Sequence, residues 1–385
     1  MDVMHARLAI RAFRVLAAGL LLAGALVAAA KGAASAATCV SRTGTQPPSL
    51  PVSDSLHGVA VLSPCNAWAV GAYNNGAGFA TLIEHWNGTR WHIVASRNPS
   101  LSSNYLADVA AASSRGVWAV GNDTLLGVSK SLIEHWTGSG WKVVKSPDPG
   151  PAHDASLSGV AVFRGGAWAV GSYNAGTVTR TFIVRWNGRG WRKVASPNAG
   201  SGSNQMESVV ALSARNAWAV GHSVHGTADR TLTEHWNGTA WRIVRSPNRG
   251  SGLNLLSGVS ATSRGDVWAA GGALAGGVSR TLVEHWNGTA WRIVTTPDPG
   301  AGSALNDVVA LSARNAWAVG SYFTGSTYLT LFEHWNGTAW RRVRSPSLGS
   351  DDNLYSVAAS SAGNIWAVGF YATSNGSRPL ALHCC

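Results

Sequence analysis

Apolar and polar residues alternate in short runs along the chain beyond residue 36, and the same arrangement returns about every 50 residues. The first unit shows the pattern. Residues 56–62 form an apolar run, and Ser63-Pro64-Cys65-Asn66 reads as a turn. Residues 67–73 form a second run closing through Gly71, followed by a Gly/Asn loop. Residues 81–86 alternate, with Leu82, Glu84 and Trp86 on one face and Ile83 and His85 on the other. Asn87-Gly88 then predicts a two-residue type I′ hairpin turn, because both central positions of that turn need positive φ. Residues 89–95 supply a fourth run. No long stretch of period 3.6 follows residue 36, so four strands per unit are expected and helices are not.

Tryptophan marks the register of the repeat. Trp-Ala-Val-Gly, or Trp-Ala-Ala-Gly, begins at Trp68, Trp118, Trp168, Trp218, Trp268, Trp317 and Trp366. A second set lies before the turn at Trp86, Trp136, Trp186, Trp236, Trp286 and Trp335. A third lies five residues later, from Trp91 to Trp340. These sets hold all 19 tryptophans of the chain, which points to core packing; a Trp-lined sugar site is the alternative for any one of them. The units start near residues 56, 106, 157, 206, 256, 305 and 354. They predict an all-β, seven-bladed β-propeller of four-stranded antiparallel blades over residues 37–385. The seventh unit ends in a third strand at 379–384, with His383 where His85 sits. Residues 38–45 are placed to supply its fourth strand, so an N-terminal strand is expected to join the last blade and close the ring.

Residues 1–36 read as a signal peptide. Arg7, Arg11 and Arg14 precede an apolar stretch over 15–30, and Ala34-Ser35-Ala36 offers a small-residue cleavage site. The stretch is short for a membrane span. Thr38 fits poorly before an acylated Cys39. A secreted protein with no integral membrane segment after cleavage is expected, and a monomer. Cys39, Cys65, Cys384 and Cys385 suit an oxidising compartment. Cys39 is expected to bond Cys384 or Cys385 across the closure, with Cys65 taking the remaining cysteine. Metal binding lacks the Cys-x-x-Cys or His spacing it would need.

The formal net charge is +12, with arginine far ahead of lysine, a bias that suits a GC-rich bacterial genome. Much of the charge follows the third tryptophan: Lys142, Arg192, Arg242, Arg292 and Arg341, with His92 in the first unit. On an outer strand these residues block edge-to-edge pairing. They would also hold an anionic wall polymer. No nucleic-acid-binding motif is present.

The order of markers resembles the kelch-like, galactose-oxidase-like propellers. It carries Trp-Ala-Val-Gly at 68–71, Ile-Glu-His-Trp-Asn-Gly at 83–88, and a fourth strand from Trp91 that ends near proline in later units (Pro147, Pro197, Pro247, Pro297, Pro346). The kelch double glycine occurs only at Gly271-Gly272. Closest in pattern are the Trp-rich repeat propellers exported by bacteria. The resemblance implies binding rather than catalysis. The copper chemistry of one branch does not carry over, since no matching ligand set is visible, and no cofactor is expected.

Candidate catalytic groups mostly recur with the repeat. Glu84-His85, Glu134-His135, Glu234-His235, Glu284-His285 and Glu333-His334 look like acid–base pairs, but neighbours on a strand face opposite ways. A hydrogen-bonding device of the blade explains their recurrence, and no catalytic residue is assigned. What varies between units is the loop after the second strand. It offers Tyr73, Asn74, Tyr173, Asn174, His222, His225, Tyr322, Phe323 and Tyr371 as ligand-binding candidates. The fourth-to-first connections add Asn104-Tyr105, His153-Asp154, Asn204-Gln205, Asn254 and Asp351-Asp352-Asn353. His222 and His225 lack a third ligand for a metal site. A rim rich in Tyr, Asn and His suits an extracellular glycan or protein. Two alternatives remain: a propeller-type glycan hydrolase or lyase using Asp351-Asp352, and a wall-associated scaffold acting through its basic edge.

Overall fold

A computed structural model describes residues 46–50, 53–147, 149–150 and 154–384. The predicted signal peptide, the closing strand at 38–45, Cys39, Cys385 and His153 lie outside the described residues. Each of the first six units folds into four antiparallel strands. In the first these are Ser53–Ser63, Asn66–Asn74, Phe79–Trp86 and Trp91–Ile93, running from the centre of the molecule outward.

The sheets correct the expectation of seven separate four-stranded blades. Five sheets carry outer strands: one of eight strands, made from the first two units, and four of four strands. A sixth, from the last unit, has three strands. Two causes account for the difference. A parallel bridge between Phe79 and Ser103 fuses the first two units into one ladder. The segment expected to complete the last sheet lies outside the described residues. Next to it, the Gln46 side chain already imitates a strand, donating to Ala381 O at 3.2 Å and accepting from Ala381 N at 3.3 Å. Arg378 bonds the Leu50 carbonyl.

The sheets are propeller blades packed face to face, with tryptophans between them. Trp68 is buried and lies 4.9 Å from Trp136 and 5.4 Å from Trp141 of the next unit, the latter edge-on. The same triad returns at Trp118, Trp168, Trp218 and Trp268. Trp366 of the last unit completes it with Trp86 and Trp91 of the first. Each offset or edge-on aromatic pair adds about 0.5–1.5 kcal/mol beyond the burial of its area.

The hairpin before the fourth strand is also corrected. Trp86 pairs with Trp91, so the loop holds residues 87–90 and not two. Only Gly88 has positive φ, at 95°. Asn87 keeps an ordinary backbone and uses its side chain instead. Its Oδ1 accepts from Thr89 N at 3.0 Å, Thr89 Oγ1 at 2.7 Å and Arg90 N at 3.0 Å. Asn237, Asn287 and Asn336 repeat this turn.

Candidate functional site: the axial channel

The glycine closing each Trp-Ala-Val-Gly motif shapes the centre of the ring. A Cβ on Gly71 would lie 2.0 Å from Ser55 O, and the equivalent glycines of the other units meet a carbonyl at 1.9–2.0 Å. The inner strand therefore presses against its neighbour here, and it bulges immediately afterwards. The register slips between Leu56 and Gly58, leaving His57 outside the ladder. The slip recurs in every inner strand with a described ladder. It places His57, Ala107, Ser158, Glu207, Ser257, Asn306 and Tyr355 around one axial cavity of about 220 Å³.

The walls of this cavity are unlike one another. On one side His57 packs 4.6 Å from Tyr105 and 5.1 Å from Tyr355, and Tyr355 lies 5.7 Å from Phe370. His57 Nε2 is 2.8 Å from Ser55 Oγ. On the other side Glu207 accepts from Gln205 Nε2 at 2.8 Å, with His222 Nδ1 4.0 Å away. Asn306 Nδ2 donates to Asn353 Oδ1 at 2.9 Å and Leu354 O at 2.8 Å.

Two further carboxylates line the channel as braces between units. Asp108 Oδ2 accepts from Val160 N at 2.8 Å, while Oδ1 accepts from Val109 N. Asp307 Oδ2 accepts from Val357 N and Ser356 Oγ, both at 2.9 Å. Glycine at the matching place in the preceding unit makes room, since a Cβ on Gly58 or Gly258 would run into Asp108 or Asp307.

The predicted rim residues separate into groups. Tyr73, Tyr173, Tyr322 and Tyr371 all pack against the cores between units. Lys193 lies over the Tyr173 ring at 4.6 Å, and Arg342 both stacks on Tyr322 and donates to its hydroxyl. Phe323 packs on Tyr328. Asn74 accepts from Gly76 N within its own turn, and Asn174 N bonds the Asp154 carbonyl. His225 is exposed beside Ser223. Of the nine, His222 faces a residue of the axial cavity, Glu207. The second strand explains this sorting: residues 69, 71 and 73 share the face turned toward the neighbouring unit.

The connections before the inner strands are pinned by buried amides and acids. Asn104 Oδ1 accepts from Ser100 N, Asn204 Oδ1 from Ala199 N and Asn254 Oδ1 from Arg249 N. Asp352 accepts from Leu348 N and Gly349 N, and Asp351 from Tyr328 N. The Asp351-Asp352 pair is thus engaged in holding its loop.

The recurring Glu-His pairs do face opposite ways. His85 lies 4.2 Å from the Trp68 ring and pairs with Asn66 Oδ1 at 3.0 Å; His235, His334 and His383 copy it, and His285 uses Asp266. Burial, then His92, lowers the His85 pKa to about 4. The glutamates are fully buried on the other face. Glu234 takes Ser196 Oγ at 3.1 Å, while Glu84 and Glu333 have no hydrogen-bond partner among the described residues. Burial raises Glu134 to about 7, Glu234 to about 8 and Glu333 to about 9, and lifts Glu84 and Glu284 well above the usual carboxylate value. At about 8 and 9, Glu234 and Glu333 are mainly neutral at pH 7. Among the described residues no group of three metal-ligating side chains converges.

The sequence did not single out the bulge position. Its signal was the residue after the repeated Leu or Met, which changes in nearly every unit while the flanking Leu and Val persist. Cys65 is free and exposed, which corrects its expected pairing with another cysteine.

No family model and no curated protein matches the chain. Among solved structures it is similar to YCF48 from Cyanidioschyzon merolae, at 16% identity and a TM-score of 0.52, covering 88% of this chain and 98% of that one. A structure of YCF48 bound to D1 peptide matches at 16% identity and a TM-score of 0.52, over 90% and 99%. The extracellular domain of a putative one-component system from B. thetaiotaomicron matches at 9% identity and a TM-score of 0.50, over 87% and 40%. These likenesses bear on fold alone: the chain is a Trp-rich repeat β-propeller, and they do not single out the kelch-like branch.

Proposed function

We propose that the protein is a non-catalytic binding propeller that takes an extracellular protein segment at the mouth of its axial channel. One observation carries this reading: the bulge residues, which differ in nearly every unit, surround one cavity. Repetition serves the scaffold, and divergence serves recognition. A cavity of about 220 Å³ falls below the roughly 300–1,000 Å³ of small-molecule sites. It suits one inserted side chain, with the rest of the ligand lying across the loops. The aromatic wall at His57 and Tyr355 would receive the apolar part, and Glu207 a donor. The peptide-bound propeller among the similar structures supports this use of the fold. Asp108 and Asp307 are engaged in bracing backbone, which favours binding over hydrolysis. Export, a monomeric state and a ring-locking disulfide through Cys384 belong to the same proposal.

The test is selection from a displayed peptide library and a glycan array, repeated with Glu207→Gln and Tyr355→Ala. Peptides that lose binding about ten-fold or more in both variants support the proposal. Glycans selected in place of peptides, or ligands indifferent to both substitutions, would sink it.

A further inference from the structure

A second cavity lies at the outer side of the ring, between the fourth and fifth units. Its volume is about 610 Å³, and it is lined by Arg230, Arg245, Asn248, Trp286 and Trp291, among others. No acidic side chain lines it. Arg230 stands at the start of a third strand and Arg245 just past the end of the outer strand of the same unit. Neither guanidinium has a hydrogen-bond or ion-pair partner among the described residues. This distinguishes them from Arg180, which donates to Gly202 O, and from Arg249, which pairs with Asp298 at 2.8 Å. Asn248, which also lines the groove, uses its Oδ1 to accept from Thr231 N.

The pair is a property of one unit and not of the repeat. The matching positions hold Ala80 and Ala95, Lys130 and Lys145, Arg180 and Ala195, Arg280 and Thr295, and Leu329 and Arg344. Arginine fills both only in the fourth unit. Blocking of a sheet edge asks for charge along every outer strand, and Arg192, Arg242, Arg292 and Arg341 already supply it. Two unpaired guanidinium groups beside indole rings do something different. Guanidinium forks match the planar or tetrahedral oxygens of carboxylate and phosphate, and indole faces pack against the C–H face of a sugar ring.

We propose that this groove is an anion-binding subsite for an acidic saccharide, with Arg230 and Arg245 holding its carboxylate or phosphate and Trp286 its ring. The site is independent of the axial channel and extends the protein's recognition to a second class of ligand. The net charge of +12 would draw such a ligand from a distance, while the groove selects the ring that bears the charge.

The test is titration calorimetry of the whole chain with three probes: an oligogalacturonate, a phosphorylated oligosaccharide and a neutral oligosaccharide of equal length. Arg230→Gln, Arg245→Gln and the exposed control Arg242→Gln are compared at low and high salt. The expected result is binding of at least one acidic probe, weakened about ten-fold by each groove substitution and unchanged by Arg242→Gln. The two acidic probes separate carboxylate from phosphate as the preferred group. Equal weakening by Arg242→Gln, equal binding of the neutral probe, or no binding of either acidic probe would overturn the proposal. Arg242 and Arg245 are exposed and Arg230 is half-buried, and unchanged melting temperatures would confirm that each variant folds.

Discussion

Trp366 packs 5.0 Å from Trp86, although the two lie in the last and first units of the repeat. Trp91 meets the same ring edge-on at 5.1 Å. This contact closes the ring at a place where the last sheet has three strands among the described residues. Replacing Trp366 by alanine removes a fully buried indole from the closure, and a loss of about 3–5 kcal/mol is expected. Urea denaturation of the variant checks this. A loss under 1 kcal/mol would mean that the closure rests on something other than the tryptophan triad.

Stability should depend on pH through the buried glutamates. Their folded pKa values lie above the unfolded value of 4.5, at about 8 for Glu234 and about 9 for Glu333. The folded protein holds protons that the unfolded chain has already released, so stability falls as pH rises toward 9. The buried histidines act in the other direction. His85, lowered to about 4, contributes stability above pH 6.5 that is lost as pH falls. Between pH 7 and 9 the glutamates therefore dominate. Melting temperature should decline over that window, and Glu234→Gln and Glu333→Gln should each flatten the decline. A flat profile in the unsubstituted protein would contradict burial of these acids in their neutral form.

Asp307 ties the sixth unit to the seventh through Val357 N and Ser356 Oγ. Asp307→Ala leaves the Val357 N–H without its acceptor beside the channel. The expected cost is about 1–3 kcal/mol, with Asp307→Asn losing less because one oxygen remains. Chemical denaturation of the two variants should rank them in that order.

Tyr322 and Tyr355 should behave as opposites. Tyr322→Phe removes the hydroxyl that accepts from Arg342 and should cost about 1 kcal/mol of stability without touching ligand affinity. Tyr355→Ala should weaken binding at the channel. Affinity and melting temperature measured on both variants would expose a reversal, which would return recognition to the outer tyrosines.

The sequence by itself determined the repeat, the β character, the packing role of the tryptophans and the placement of glutamate and histidine on opposite strand faces. Each follows from local rules: a period of two along a strand, and a motif that returns at fixed spacing. Tertiary structure decided what those rules leave open. It turned Asn87 into a side-chain turn and fused the first two units through the bridge from Phe79 to Ser103. It also drew Tyr73, Tyr173 and Tyr322 into the seams between units. Above all, it made a site of His57, Glu207 and Tyr355, which lie far apart along the chain. Gly71 and its equivalents let the inner strands press close and bulge, and ring geometry then carries each displaced side chain to the same axis. Convergence on an axis depends on how the units pack around it, and no stretch of a single unit records that.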